Sequence, residues 1–232
     1  MIRSITGMII VLALAAAVFS VIPYNGVTEE LHGAGSYYAE NGVADTGSIN
    51  LVTSVVVAYR GLDTLGEVVV LFSASTAVVL ILSLVPMGGK PTAPSQIVQT
   101  TARILPGAIT LFGIYIVTHG HLSPGGGFPG GAVVASAFLL VLLGSRSLPG
   151  AAGMLTAVES LAGLAFGLLG FWGVYVMGQF LNSRVLPGGS PGQLISAGII
   201  PLVSLAIGAK VASELSGVFA SYRSKGETVE PD

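Results

Sequence analysis

An all-α, polytopic bundle of about six transmembrane helices is the fold this sequence predicts, and three observations predict it. Of 232 residues only 9% are charged while 52% are hydrophobic, and mean hydropathy is +0.85; soluble domains carry roughly 25% charge. Apolar runs close to the bilayer-crossing length of about 20 residues recur along the chain. The 33 glycines lie on an Ala/Ser/Thr background that lets helices pack backbone to backbone in lipid. The same long runs argue against an outer-membrane barrel, whose strands are short and alternating.

In chain order the predicted spans are Ile5 to Ile22, Leu65 to Val85, Ile97 to Val117, Gly130 to Leu143, Val158 to Leu181 and Leu194 to Val218. The first reads as a retained helix in preference to a cleaved signal peptide, because its apolar run is long and no clear cleavage pattern follows. The fourth is short unless Phe128 to Gly131 already form its first turn. Alternating spans from a cytoplasmic N-terminus places Arg3, Lys90, Arg103, Arg146, Arg223 and Lys225 on or near the inner side and Arg184 outside, as the positive-inside rule favours. The stretch from Tyr24 to Ser48 holds Glu29, Glu30, Glu40 and Asp45 without Lys or Arg, and reads as an outer loop. Between Pro86 and Ser95 three prolines and two glycines mark an internal boundary. It separates a two-helix unit, residues 1–90, from a four-helix unit, residues 91–232. The tail from Lys225 to Asp232 is polar enough to fray.

Composition also excludes functions. The net charge is -2 and the basic residues are scattered singly, so there is no basic surface for nucleic acid. The absence of cysteine removes disulfides, thiolate zinc sites and Cys-held iron–sulfur clusters. Gly125-Gly-Gly127 lacks the Lys-Ser/Thr of a phosphate loop. No nucleophilic triad or paired-carboxylate site is recognisable, so the chain reads as neither a self-contained enzyme nor the holder of a cofactor.

Three groups of residues carry the candidate chemistry. The first is Arg60-Gly-Leu-Asp63-Thr64-Leu-Gly-Glu67. At about 100° per residue Arg60, Asp63, Thr64 and Glu67 fall on one helical stripe. The apolar stretch Ile49 to Val85 would span about 55 Å as one helix, against a hydrocarbon core of about 30 Å. A break near Gly61 or Gly66 is therefore expected, turning an amphipathic segment, Ile49 to Tyr59, into a spanning helix. Two readings stay open. Glu67 and Asp63 offer a transient foothold for sodium or a proton, tuned by Arg60; or an Arg60–Asp63 pair anchors the helix among the headgroups.

The second group is the loop His119-Gly-His121-Leu-Ser-Pro124-Gly-Gly-Gly-Phe-Pro-Gly-Gly131. Non-helical backbone in a bilayer needs protein or a watery cavity to satisfy it, and imidazoles titrate near physiological pH. His119 and His121 are candidates for passing protons or gating a vestibule, and the alternative is a rigid glycine–proline turn. A metal site is disfavoured because the loop supplies no third ligand. The third group, Glu159, Lys210 and Glu214, reads as interface-anchored charge near helix ends, with a buried Glu159 relay as the alternative. Trp172, Tyr175, Tyr37 and Tyr38 read as packing or membrane-belt residues.

The run Leu111-Phe-Gly-Ile-Tyr-Ile-Val-Thr-His-Gly-His-Leu-Ser-Pro-Gly-Gly-Gly-Phe-Pro-Gly-Gly131, followed by an apolar Ala-rich helix, resembles the MnhB/MrpB family, one of the component families of multisubunit Mrp-type sodium/proton antiporters. Val55-Val-Val-Ala-Tyr-Arg-Gly-Leu-Asp-Thr-Leu-Gly-Glu-Val68 resembles the Arg-Gly-x-Asp-Thr-x-Gly-Glu motif that ends the large Mrp subunit and stands as a separate small subunit in membrane-bound hydrogenases. The resemblance implies an accessory membrane subunit, with the two units fused, near a sodium pathway. Its partners would be other antiporter-module subunits, in a free-standing antiporter or with hydrogenase-like redox subunits. Arg60, Asp63, Thr64 and Glu67 match the acidic motif, and His119, His121 and Pro124 match the loop motif. The lysine–glutamate pairs on which the large proton-pumping subunits of such assemblies rely are not evident here.

Overall fold

The computed structural model describes residues 2–21, 31–84, 93–144 and 151–227, and all regular structure among them is helical. The chain divides into two compact units, Met1–Tyr37 and Tyr38–Asp232. The first contains α1 (Ile2–Val21), whose described apolar stretch is Thr6–Ala17. The segment from Tyr24 to Ser48, expected as a loop, instead contains α2 (Ala34–Thr46), which begins in the first unit and ends in the second. Its mixed polar composition hid it from a reading based on apolar runs.

In the second unit Asn50 caps a short helix α3 (Leu51–Thr53), its side chain accepting from the Val52 and Thr53 amides. A π-helical turn, Ser54–Tyr59, follows. The Arg60 amide closes it by donating to the Val55 carbonyl at 2.8 Å, one residue farther than an α-helix reaches. The chain then breaks at Arg60 and restarts as α4 (Gly61–Leu84), at the first of the two places the length argument allowed. Gly61 lets the segment after α7 approach closely: a Cβ there would lie 3.1 Å from Leu181 Cβ and 3.2 Å from the Phe180 carbonyl oxygen.

Four more long helices follow: α5 (Gln96–Thr118), α6 (Gly127–Gly144), α7 (Ala151–Met177) and α8 (Ile200–Glu227). With α4 they are five helices long and apolar enough to cross a membrane among the described residues. Phe128 to Gly131 do form the first turn of α6, with Pro129 early enough that its missing N–H costs no helical bond. The last span begins later than expected: Leu194 to Ile199 are irregular, and α8 starts at Ile200 with Pro201 in its first turn. Most of the Pro86 to Ser95 boundary lies outside the described residues, as do Lys90, Arg146 and the tail beyond Glu227. Ser95 is the N-cap of α5.

Helix α8 is the hub. It packs against α4, α5, α6 and α7, and 56% of its span is buried where only 6% of the α4 span is. Small residues make this contact close: a Cβ on Gly131 would sit 2.7 Å from the Gly208 carbonyl oxygen and 2.8 Å from Val211 Cβ. A continuous apolar cluster joins Val57, Val68, Phe166, Leu181, Ile199, Ile200, Val203 and Ile207. It seats the first half of α8 against the π-helical turn and the segment after α7. Leu181 and Ala197 adopt φ of 56° and 64° there and are fully buried, so packing holds a backbone conformation that non-glycine residues rarely adopt.

Candidate ion-pathway site

The acidic motif does not form one polar face. Arg60 and Asp63 bond side chain to side chain at 2.5 Å, with 64% and 53% of their side chains exposed. Thr64 points the other way and is fully buried, its hydroxyl donating to the Val56 carbonyl at 2.7 Å. That bond satisfies an acceptor displaced by the π-helical turn, so Thr64 fastens the break between the two helical segments. Glu67 is exposed one turn further along α4. The geometry matches the anchoring arrangement for Arg60 and Asp63, and leaves Glu67 at the edge of the bundle, facing whatever lies beside this chain.

The histidine loop is built differently from its two imidazoles. His119 caps α5 and is partly buried; its ring stacks on Tyr115 with centroids 4.1 Å apart, and Nδ1 lies 3.0 Å from the Tyr115 carbonyl oxygen. His121 is 1% exposed, with Nε2 donating to the Gln193 carbonyl at 3.2 Å. That bond fixes the tautomer with the proton on Nε2, and the buried Nδ1 has no hydrogen-bond partner. Burial lowers the His121 pKa from its ordinary 6.5; hydrogen bonds to the backbone of Gln193 and Leu194 oppose this, while His119 adds a smaller lowering. Pro124 is exposed at the turn, and Gly126 takes φ of 123°, which a side chain would resist.

The loop's backbone is satisfied by side chains from the N-terminal part of the sequence. Asn50 Nδ2 donates to the Gly120 and Ser123 carbonyls, both at 2.8 Å, and Thr53 Oγ1 donates to Gly120 at 2.6 Å. Ser48 Oγ and the Asn50 amide both donate to the His121 carbonyl, at 3.0 and 3.2 Å. Protein groups meet the requirement for which a watery cavity was the alternative. Nearby, Asp45 accepts from Tyr59 at 2.7 Å and pairs with Arg184 at 3.0 Å.

The third group departs most from expectation. Glu159, Lys210 and Glu214 do not sit at helix ends. Glu159 lies about 12 Å into α7 and Lys210 about 15 Å into α8 at roughly 1.5 Å per residue, so both lie well inside helices long enough to cross a membrane. Lys210 Nζ is 3.2 Å from Glu214 Oε2 and 3.5 Å from Glu159 Oε1, with side-chain exposures of 9%, 2% and 25% for Lys210, Glu214 and Glu159. Ser75 of α4 donates to Glu214 Oε1 at 2.6 Å, and the Phe72 ring centroid lies 5.1 Å from the ammonium. A lysine–glutamate pair within the membrane, not evident from the sequence, is therefore present. The readable signal was the four-residue spacing of Lys210 and Glu214, which puts them on one face; the later start and longer reach of α8 hid their depth.

A multi-pass helical membrane protein with charge buried among its spanning helices is the class this fold and cluster define, since intramembrane ions are kept where a pathway or a partner uses them. The chain belongs to the family of domains related to the MnhB subunit of Na+/H+ antiporters, whose model matches residues 97–217, and the MbhE model, which describes one subunit of MBH, matches residues 2–96. A chain in the structure of the membrane-bound sulfane sulfur reductase, an archaeal respiratory membrane complex, is 38% identical with a TM-score of 0.78, over 95% of this chain and 98% of that one. In the Mrp complex from Dietzia sp. DQ12-45-1b, 26% of one chain covers 99% of this chain at 26% identity and a TM-score of 0.74. The B-type component of the Na(+)/H(+) antiporter of Bacillus subtilis is 36% identical over 92 residues, 40% of this chain and 54% of that protein. The chain spans about half the length of the curated relatives it matches.

Proposed function

We propose that this chain is an accessory membrane subunit of a multisubunit sodium/proton antiporter module, contributing helices to the sodium or proton pathway and carrying out no covalent chemistry itself. The observation that carries the reading is the correspondence of nearly the whole chain with a segment of one Mrp-complex chain. In this reading residues 1–90 and 91–232 are the two fused units, and the N-terminus faces the cytoplasm. The Arg60–Asp63 pair anchors the head of α4, while Glu67, exposed on the same helix, meets a neighbouring subunit and gives sodium or a proton a transient foothold there. His119, His121 and Pro124 shape the end of the bundle that holds the loops.

The full-length match to a chain of a respiratory complex favours a second reading, in which the chain scaffolds a redox-driven ion pump beside hydrogenase-like subunits. Copurification from native membranes and identification of the partners separates the two. Large antiporter subunits alone support the first, and iron–sulfur subunits support the second; recovery of the chain without partners would sink both. Within the assembled complex, Glu67→Ala is expected to reduce sodium-dependent transport, and unchanged transport with intact assembly would remove Glu67 from the pathway.

A further inference from the structure

Lys210 and Glu214 are buried against the partly exposed Glu159, so the fully ionised cluster of these three residues has a net charge of minus one within the spanning part of the bundle. Uncompensated charge at that depth is expensive. Among the described residues no other ionisable group stands close enough to balance it. On α4, Glu67 lies about 12 Å along the helix from Ser75, and Asp63 farther still, paired with Arg60. Helix α6 has no ionisable residue. On α5 the only charge is Arg103, about 10 Å from the start of that helix. On α8, Tyr222 and Arg223 follow Glu214 by about 12 Å or more. An added proton is the balancing charge that fits within the space the cluster already fills.

The contacts indicate where that proton moves. Glu214 Oε1 is held by Ser75, whereas Oε2 faces Lys210 at 3.2 Å yet has no directed hydrogen bond. The ammonium is thus in ionic contact with a carboxylate oxygen that still has room to accept a proton. Lys210 approaches α7 along Gly163, where even a Cβ would stand 3.7 Å from the lysine Cδ, so its stem has room to shift between the two acids. Glu159, a quarter exposed, is the one member that reaches the flank of the bundle.

We infer that Glu159, Lys210 and Glu214 form a proton-exchange site inside the spanning bundle, with Glu159 as its opening toward a neighbouring subunit and Lys210 as the carrier between the two carboxylates; this rests on the reading of the host assembly as ion-translocating. The step is balanced: an N–H bond of the Lys210 ammonium breaks as an O–H bond forms on Glu159, and the resulting amine takes the proton of a protonated Glu214, restoring the ammonium. Run backwards, the same exchange loads Glu214. Ser75 orients Glu214 and Phe72 holds the ammonium in place.

The intact complex, reconstituted in liposomes with an internal pH-sensitive dye, tests the site. Glu214→Gln and Lys210→Met are each expected to lower proton flux by about 100-fold with all subunits still present, while Glu214→Asp retains most of it. Infrared difference spectra of the same complexes should show a carboxylic-acid band that appears on acidification and is lost in Glu214→Gln or Glu159→Gln. A spectrum with no such band, together with native flux in Glu214→Gln, overturns the proposal and leaves the cluster a brace. If Glu214→Gln does not assemble, Glu159→Gln at the bundle's flank decides on the same two readouts. If the native complex moves no protons, the transport reading fails, and the infrared titration alone still decides whether the cluster exchanges a proton.

Discussion

His121 is buried with its Nδ1 unpartnered, and that burial favours the neutral form. Its folded pKa therefore lies below the 6.5 of the free side chain. As pH falls through 6.5 the unfolded chain takes up the proton first, so stability present in full above that value declines as the solution acidifies. The slope is at most about 1.4 kcal/mol per pH unit and flattens once the folded value is reached. Thermal unfolding of the detergent-solubilised protein should shift downward between about pH 7 and 5. In His121→Gln, whose amide can still donate to the Gln193 carbonyl, that shift should be smaller; an identical pH slope in the variant would assign it to another group. Thr64 is a different residue-scale case, since its motif suggested ion chemistry and its surroundings give it a structural bond.

Among the elements, the capped segment from Ser48 to Tyr59 has the largest leverage on the bundle. Asn50 starts α3, and its amide bonds two carbonyls in the loop between α5 and α6. One side chain thus ends the N-terminal half's irregular stretch and fastens the C-terminal half's loop. Asn50→Ala removes the cap and leaves two loop carbonyls short of a donor, a cost of about 2 to 4 kcal/mol. Denaturation in mild detergent should register that loss, accompanied by faster backbone hydrogen exchange at Gly120 to Ser123. A drop below about 0.5 kcal/mol would show that Thr53 and Ser48 hold the loop without it.

At the scale of the molecule, the two sequence halves are joined by more than a linker. Helix α4 from the first half packs on α8 from the second, Ser75 bonds Glu214, and Asn50 and Thr53 hold the histidine loop. Dividing the chain between residues 86 and 95 and producing both parts together should therefore yield two polypeptides that copurify. The combined change Asn50→Ala, Thr53→Ala and Ser75→Ala should lower the recovered pair at least tenfold, a loss of more than about 1.4 kcal/mol. Copurification indifferent to those changes would locate the union in apolar packing alone.

Composition and the lengths of the apolar runs determined that this is a helical membrane protein and roughly where its spans lie, because the bilayer imposes length and hydropathy on each helix separately. The same arithmetic required a break near Gly61 or Gly66, and the chain breaks at Arg60. The motifs carried the family. Tertiary structure alone decided which polar residues turn inward: Thr64 leaves its expected stripe for the core, His121 is buried while His119 stays at the rim, and α2 forms where a loop was expected. It also brought Glu159, Lys210, Glu214 and Ser75 together from three helices. Their partnership depends on the register of α4 and α7 against α8, which is set by close approach at small residues and by apolar packing distant along the sequence, and no local pattern encodes that register.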